Sequence, residues 1–565
     1  MLRRIISVKL LIFVAILTTA AFLRLFALDQ NPPALNWDEV SHGYNAYSIL
    51  KTGKDEWGQS FPLASFRAFG DYKLPVYIYL TVPSIAIFGL NEWGVRAPAA
   101  LFGILAVLGT FLLTQKLFNN FKLSAVSSLL LAVSPWHLLL SRAALEANIA
   151  LTLTIFGIYF FIKSLPISKV GLDNPKLLLL SSLFFGLTFY SYYAARIVVP
   201  ILVLGLAIIY WAKIKAFKTQ LIAPFAIFLF FFISIIPSSI SVEGQARFYW
   251  TTILDQGAIN RINESRITSN LPQVLNLAVN NKPVYFISNF VPNYLSHFSP
   301  QFLFFQGGSN FQYSIPGRGV LYFFEIPLLI FGVVALLKLR NNKTLIIALW
   351  LLVGPIAASL TRESPNVLRS ILILPTFQII AALGFFEILK YANNNLQKIL
   401  IVGLVVTIAT SSAFFLRDYW GVYRQNYSFA WQYGYSQLAQ FLQFNKENYD
   451  RIVITKKYGE PHEFLLYNLQ IDPKFYQNDP NLIRCPRSNW FWVDRFDKYE
   501  FVNDWEVKNL KKDEILPTAC PQEVKKLGVG KMLVVTSPGN FPAGGKQIKT
   551  FYFLNDTPAF DLVEY

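Results

Sequence analysis

Leu10-Leu11-Ile12-Phe13-Val14-Ala15-Ile16-Leu17 opens an apolar run that continues to about Leu28 and then gives way to Asn36-Trp37-Asp38-Glu39. The run carries Arg24 as its one charge and is long enough to cross a bilayer as a helix. A soluble core helix needs a polar face, and this run is apolar all round. Arg3 and Arg4 precede it as in a secretory signal, but no small-residue cleavage site follows, so it reads as a retained first span.

The same signal recurs along the 565 residues. Mean hydropathy is +0.41 and charged residues make up only 15%, which excludes a chain built of soluble domains. Further apolar runs cover roughly 97–117, 123–140, 146–162, 176–192, 197–212, 220–240, 320–337, 344–360, 370–389 and 399–416, so about eleven transmembrane helices are expected. The net charge of +17 sits in short basic clusters between them. No zinc-finger, RNA-binding or basic-helix motif accompanies that charge, and nucleic acid is not an expected partner.

The clusters also orient the chain. With the N-terminus cytoplasmic, the inner segments hold Arg3, Arg4 and Lys9; Lys116 and Lys122; Lys163, Lys169 and Lys176; Lys213, Lys215 and Lys218; Lys338, Arg340 and Lys343; and Lys390 with Lys398. Every inner segment is basic, as cytoplasmic loops require. Two long loops, 29–96 and 241–319, and a C-terminal segment then lie outside. The expected organisation is a transmembrane domain over 1–416 and an extracytoplasmic α/β domain over 417–565. Tyr72 to Leu90 reads as a helix along the membrane interface, with Tyr77, Tyr79 and Trp93 at headgroup level. The tail reads as a helix near 430–444 and strands near 451–455, 531–536 and 550–554. Its cysteines, Cys485 and Cys520, lack histidine partners at metal spacing and form a candidate disulfide, two buried thiols being the alternative.

An ionisable group near a bilayer costs a few kcal/mol unless paired or hydrated. Here Arg24, Arg142, Glu146, Arg196, Glu325, Arg362, Glu363 and Arg369 all fall at or near outer span ends, and the span middles are nearly free of charge. A transporter more often places such groups at the midplane beside broken helices. The first outer loop is densest: Asp38-Glu39, His42, Asp71-Tyr72-Lys73-Leu74-Pro75, and Glu92 with Arg96.

In order along the chain, Asp38-Glu39, Lys73-x-Pro75, Phe88-Gly89…Glu92…Arg96-x-Pro98-Ala99, Ser134-Pro135…Ser141-Arg142…Glu146 and Pro365…Arg369…Pro375 resemble the membrane glycosyltransferases of the GT-C fold. That group includes protein O-mannosyltransferases and lipid A aminoarabinose transferases. The resemblance covers roughly residues 20–390. It implies a catalytic Asp-Glu pair at Asp38 and Glu39 and a basic residue, Lys73, on a juxtamembrane helix. Three positions depart from the pattern: Ser41 and His42 stand where an arginine follows Asp-Glu, Leu74 interrupts Lys-Pro-Pro, and Glu146 replaces an aspartate.

The implied reaction moves a sugar from a polyprenyl-phosphate carrier to an acceptor hydroxyl on protein, lipid or glycan. A base must take the hydroxyl proton, and cations must stabilise the phosphate that leaves. Asp38 is the expected base, giving inversion; Glu39 is expected to orient the loop or the acceptor. Lys73 and Arg369 lead as phosphate partners, followed by Arg142, Arg196 and Arg362. Glu146 is a further substrate-binding candidate, and His42 is close enough in sequence to tune Asp38. Glu92 and Arg96 are expected to form a structural ion pair, substrate contact being the alternative. His462 in the tail is expected at the surface, and Tyr294, Phe304 and Phe305 are candidates to line a sugar or prenyl groove. A monophosphate flanked by Lys and Arg needs no metal or other cofactor, although Asp38 and Glu39 could hold a divalent cation. The competing readings are a lipid or sugar exporter and a non-enzymatic envelope scaffold. An oligosaccharyltransferase-like subunit lacks support in the tail, where no Trp-Trp-Asp-Tyr-Gly occurs.

Overall fold

Asparagine starts several of the long helices. Asn120 accepts a hydrogen bond from the Leu123 N–H, and Asn341 accepts from Lys343 and Thr344, each satisfying donors that a helix start leaves open. The computed structural model describes residues 2–165, 174–241, 245, 250–487, 490–511 and 530–565; Lys169 and Cys520 lie outside them. Among the described residues, seven helices are long and apolar enough to cross a membrane, or eight when Phe121–Val133 and Pro135–Arg142 count as one bent span. Pro135 at the first helical position sets that 56° bend. The other three expected spans coincide with shorter helices: Pro175–Thr188, Ala195–Ile209 and Glu325–Leu339. The chain is a multi-pass membrane protein, mostly helical, with a C-terminal sheet.

Its contacts divide it into two compact units. One joins Met1–Phe26 to Ala99–Leu416, and the other joins Ala27–Pro98 to Arg417–Tyr565. In the first, Leu10, Leu11, Phe225 and Phe230 are exposed on helices with almost no polar surface, as lipid-facing sides require. Its closest helix pair is Glu325–Leu339 against Thr376–Leu389. A Cβ at Gly384 would stand 1.8 Å from the Leu328 carbonyl oxygen, and one at Gly332 2.0 Å from that of Ile380. Small residues let these backbones touch where lipid supplies no hydrophobic drive.

The second unit contains the first long loop and the tail. The loop forms α1 (Trp37–Thr52), a two-stranded hairpin of β1 (Phe66–Arg67) and β2 (Tyr72–Lys73), and α2 (Pro75–Phe88). The tail forms a seven-stranded sheet of order β4-β5-β6-β3-β7-β9-β8. Its strands are β3 (Arg451–Thr455), β4 (Ile483–Arg487), β5 (Trp490–Phe496), β6 (Tyr499–Val502), β7 (Met532–Thr536), β8 (Lys546–Tyr552) and β9 (Pro558–Glu564). β3 lies parallel to both β6 and β7, and the remaining pairs are antiparallel. The central strands, Arg-Ile-Val-Ile-Thr and Met-Leu-Val-Val-Thr, are buried along their whole length, as strands covered on both faces must be. Four strands go beyond the sequence expectation: β4, β5, β6 and β9. β4 reads Ile-Arg-Cys-Pro-Arg, and no alternation betrays it. Cys485 in β4 is disulfide-bonded. The tail helix Pro461–Asn468 packs on α1, and Tyr44 Oη donates to the Ile471 carbonyl at 3.1 Å.

Candidate active site

Asn36 caps α1. Its side chain accepts from the Glu39 N–H at 3.0 Å, and the Glu39 carboxylate accepts from the Asn36 N–H at 3.1 Å, a reciprocal capping box. Glu39 is fully buried and also takes two bonds from Arg96, Nε to Oε1 at 2.9 Å and Nη2 to Oε2 at 3.1 Å. Arg96 directs its remaining donors to the carbonyls of Leu28 and Pro32 at 3.0 and 2.9 Å and of Ala34 at 2.6 Å. The ion pair expected between Glu92 and Arg96 is therefore Glu39–Arg96 instead. A helix neighbour four residues away offers one carboxylate, whereas the folded-back loop offers a carboxylate and three carbonyls.

With Glu39 held inward, Asp38 points the other way from the first turn of α1. Its carboxylate is paired with the Lys73 ammonium, which also bonds Asp71 Oδ2 at 2.9 Å. Lys73 is buried, while Asp38 and Asp71 keep about a fifth of their side-chain surface. The hairpin β1–β2 makes this possible by placing Asp71 in the turn and Lys73 on the returning strand. Asp71 was legible only as the residue two positions before Lys73. His42, one turn along α1, is buried with its ring against Tyr77, 4.9 Å between centroids.

The tail places further ionisable groups against α1. His462 is buried with Glu460 at 3.6 Å and Glu463 at 3.9 Å, not at the surface, because its helix is the one packed on α1. Burial pushes the Glu460 carboxyl up to about 8, and burial with Glu460 beside it pushes Glu463 up as well. Burial also raises Glu56 well above the carboxylate range and holds His462 neutral, well below the usual histidine value. None of the three acids announced itself in sequence, since each is buried only by tertiary contact.

In the first unit, Arg196 and Arg369 line one cavity of about 500 Å³ together with Tyr193, Ser239, Thr252 and Leu360. Arg196 donates to the Phe189 carbonyl at 3.0 Å and to Ser239 Oγ at 3.1 Å, with its guanidinium 4.7 Å from the Tyr193 ring centre. Arg369 donates to Thr361 Oγ1 at 3.1 Å and lies 3.5 Å from the Glu363 carboxylate. Arg362 faces elsewhere: it pairs with Asp255 at 2.6 Å and bonds the Trp250 carbonyl, tying two chain segments together. Arg142 is buried and donates to the Leu23 carbonyl at 2.8 Å. Glu146 is buried in the first turn of Glu146–Ser164. Tyr294, Phe304 and Phe305 do not line this cavity; Tyr294 Oη donates to the Leu352 carbonyl at 2.8 Å. Among the described residues no three His, Cys, Asp or Glu side chains are grouped to hold a metal ion.

A family model described as dolichyl-phosphate-mannose-protein mannosyltransferase matches residues 73–236. No curated protein matches the sequence. Among solved structures, ArnT from Cupriavidus metallidurans bound to undecaprenyl phosphate is similar at 11% identity and TM-score 0.53, covering 98% of this chain and 97% of that one. An Archaeoglobus fulgidus oligosaccharyltransferase in complex with zinc and sulfate is similar at 13% identity and TM-score 0.50, covering 81% of this chain. The chain spans about three fifths of that archaeal protein, 61% of its length. Helices, loop and tail together therefore give this chain the GT-C fold of the polytopic membrane glycosyltransferases.

Proposed function

We propose that this protein is an inverting glycosyltransferase that moves a sugar from a polyprenyl-phosphate carrier to an acceptor hydroxyl. It works at the extracytoplasmic face, with its N-terminus in the cytoplasm. The observation that carries the reading is Asp38: a carboxylate at a helix start, partly exposed, with its neighbour Glu39 locked inward and Lys73 against it.

Asp38 takes the acceptor proton as the hydroxyl oxygen bonds to the anomeric carbon, and the bond from that carbon to the phosphate oxygen breaks. The electron pair leaves with the polyprenyl phosphate. Lys73 supplies a cation beside the base. Arg196 and Arg369 bind the carrier's phosphate through charge-assisted hydrogen bonds, and the apolar wall of their cavity suits the prenyl chain. Glu39 and Arg96 position the loop that bears Asp38 and do not touch substrate. Arg362 holds the cavity-side segments and Arg142 holds the first helix, so neither is assigned to the phosphate. The proposed reaction uses Lys73, bridging Asp38 and Asp71, as the cation at the base and assigns no role to a divalent cation.

The test is transfer from a synthetic prenyl-phosphate sugar by the full chain in nanodiscs. Asp38→Asn keeps shape and hydrogen bonding but removes the base, and turnover falls by about 10²–10⁴. Near-normal turnover by folded Asp38→Asn protein would refute the assignment.

A further inference from the structure

The second unit holds a row of aromatic rings in which three half-buried indoles adjoin one buried phenyl ring, Phe69. Trp490, Trp492 and Asp494 alternate along β5 and so share one face of the strand. From the loop, Trp37 and Phe69 extend the row. Ring centres are 6.0 Å apart from Trp37 to Phe69, 5.5 Å from Phe69 to Trp490 and 6.0 Å from Trp490 to Trp492, with tilts of 46°, 34° and 41°. Trp37, Trp490 and Trp492 are each half-buried.

The row is fixed in place. The Phe491 N–H donates to the Phe69 carbonyl at 2.7 Å, and the Trp490 indole N–H donates inward to Glu460 at 2.7 Å. Gly70 leaves room for the Trp490 ring; a Cβ there would stand 2.2 Å from it. Paired charges flank the row at Phe69 and at Trp492. Lys73, held by Asp38 and Asp71, lies 5.3 Å from the Phe69 centre. Lys456, ion-paired with Asp494, lies 4.7 Å from the Trp492 centre.

We propose that Trp37, Trp490 and Trp492, supported by the buried Phe69, form a platform for a saccharide, and that the acceptor is therefore a glycan. The word acceptor rests on the transferase reading above; the binding of a saccharide does not. A pyranose has an apolar C–H face and a rim of hydroxyls. Rigid, half-exposed indoles stack on the first, and the partly exposed carboxylates of Asp38 and Asp71 accept hydrogen bonds from the second. A peptide would instead be captured along an unpaired strand edge by its backbone; the indole-bearing part of β5 is paired with β4, and on its other side the Phe491 N–H is taken by the Phe69 carbonyl. Phe69 in the row lies against Lys73, which is paired with the proposed base.

The experiment is saturation-transfer NMR and tryptophan fluorescence on the full chain in nanodiscs, free of sugar-headed detergent. The probes are α-mannotriose, cellotetraose and chitotetraose, with a Ser/Thr-containing nonapeptide as comparison. At least one saccharide saturates; Trp492→Ala weakens it about tenfold, and Trp492→Phe restores most of the loss. Trp492 is chosen because Trp490 packs on Gly70, and melting temperature confirms that each variant is folded. Saturation by the peptide alone, by no saccharide, or equally by folded Trp492→Ala overturns the proposal. Saccharide binding by a folded protein that transfers no sugar from the prenyl-phosphate donor leaves the platform standing and removes the transferase reading.

Discussion

Arg96 in the second unit and Arg369 in the first both follow a carboxylate closely in sequence at the end of an apolar run, yet the protein uses them in opposite ways. Arg96 is enclosed, and its five N–H donors meet Glu39 and the carbonyls of Leu28, Pro32 and Ala34. Among the described residues the Arg369 side chain makes one hydrogen bond and one longer ion pair, both through Nη1, and it lines a cavity large enough for a ligand. The comparison teaches that a buried arginine with every donor satisfied is part of the scaffold. One with capacity left beside a cavity is a candidate to bind an anion.

Removing each guanidinium breaks or sharpens that contrast. Arg96→Ala strands a buried carboxylate and loosens the α1 cap, so stability falls by about 3–5 kcal/mol. Denaturant or thermal unfolding of purified protein reads this. A variant that unfolds like the parent but binds donor poorly would make Arg96 a substrate residue after all. Arg369→Ala should do the reverse: the melting temperature holds, while KM for the prenyl-phosphate donor rises by roughly tenfold to a hundredfold, as loss of a charge-assisted bond implies. Equal loss in kcat with KM unchanged would place Arg369 in the chemistry and not in donor binding.

The acids packed against α1 predict a smaller, pH-dependent effect on the second unit. Glu460, raised from 4.5 to about 8, keeps its proton in the folded state where the unfolded chain has lost it. Glu463 and Glu56 shift the same way. Stability therefore declines as pH rises from about 4.5 to 8. Below about 6.5, His462 is protonated in the unfolded chain but neutral in the fold, which offsets one of these protons and flattens that part of the curve. Melting temperature measured from pH 5 to 8.5 should fall, more steeply above 6.5. Glu460→Gln should reduce the slope, and a curve unchanged by that substitution would show that Glu460 is ionised throughout. The smallest effect is expected from chelation: EDTA leaves sugar transfer unchanged, and loss of activity restored by a divalent cation would assign one to Asp38.

Much of the Arg96 region was legible in advance, because its signals are local. Asn36-x-x-Glu39 carries the spacing of a capping box, and the position just after an apolar run marks a helix that starts at the membrane boundary. That spacing also separates the two carboxylates: the third helical residue reaches back to the cap while the second faces outward. The sequence reading singled out Asp38 as base and Lys73 as a phosphate partner, and the structure pairs the two side chains with each other. What pairing Arg96 would take was not legible, since Glu92 and Glu39 both fit a basic partner and the choice lies in how the loop folds back. The β4–β5 hairpin was hidden for a related reason. Its aromatic residues pack against the loop Phe66–Lys73, so its pattern reflects a distant neighbour and not the alternation of a half-solvated strand.

Apolar length and basic loop residues determined by themselves that this is a multi-pass membrane protein with an Asp-Glu pair just after its first span. Each of those rests on interactions within a few residues or with the surrounding solvent or lipid, which a linear pattern records. The tertiary structure alone decided that Glu39 belongs to Arg96, 57 residues away, that Arg196 and Arg369 share a cavity while Arg362 does not, and that His462 and its acids are buried. Those outcomes depend on which distant side chains fill one another's hydrogen bonds and exclude water, and burial of that kind has no period along the chain.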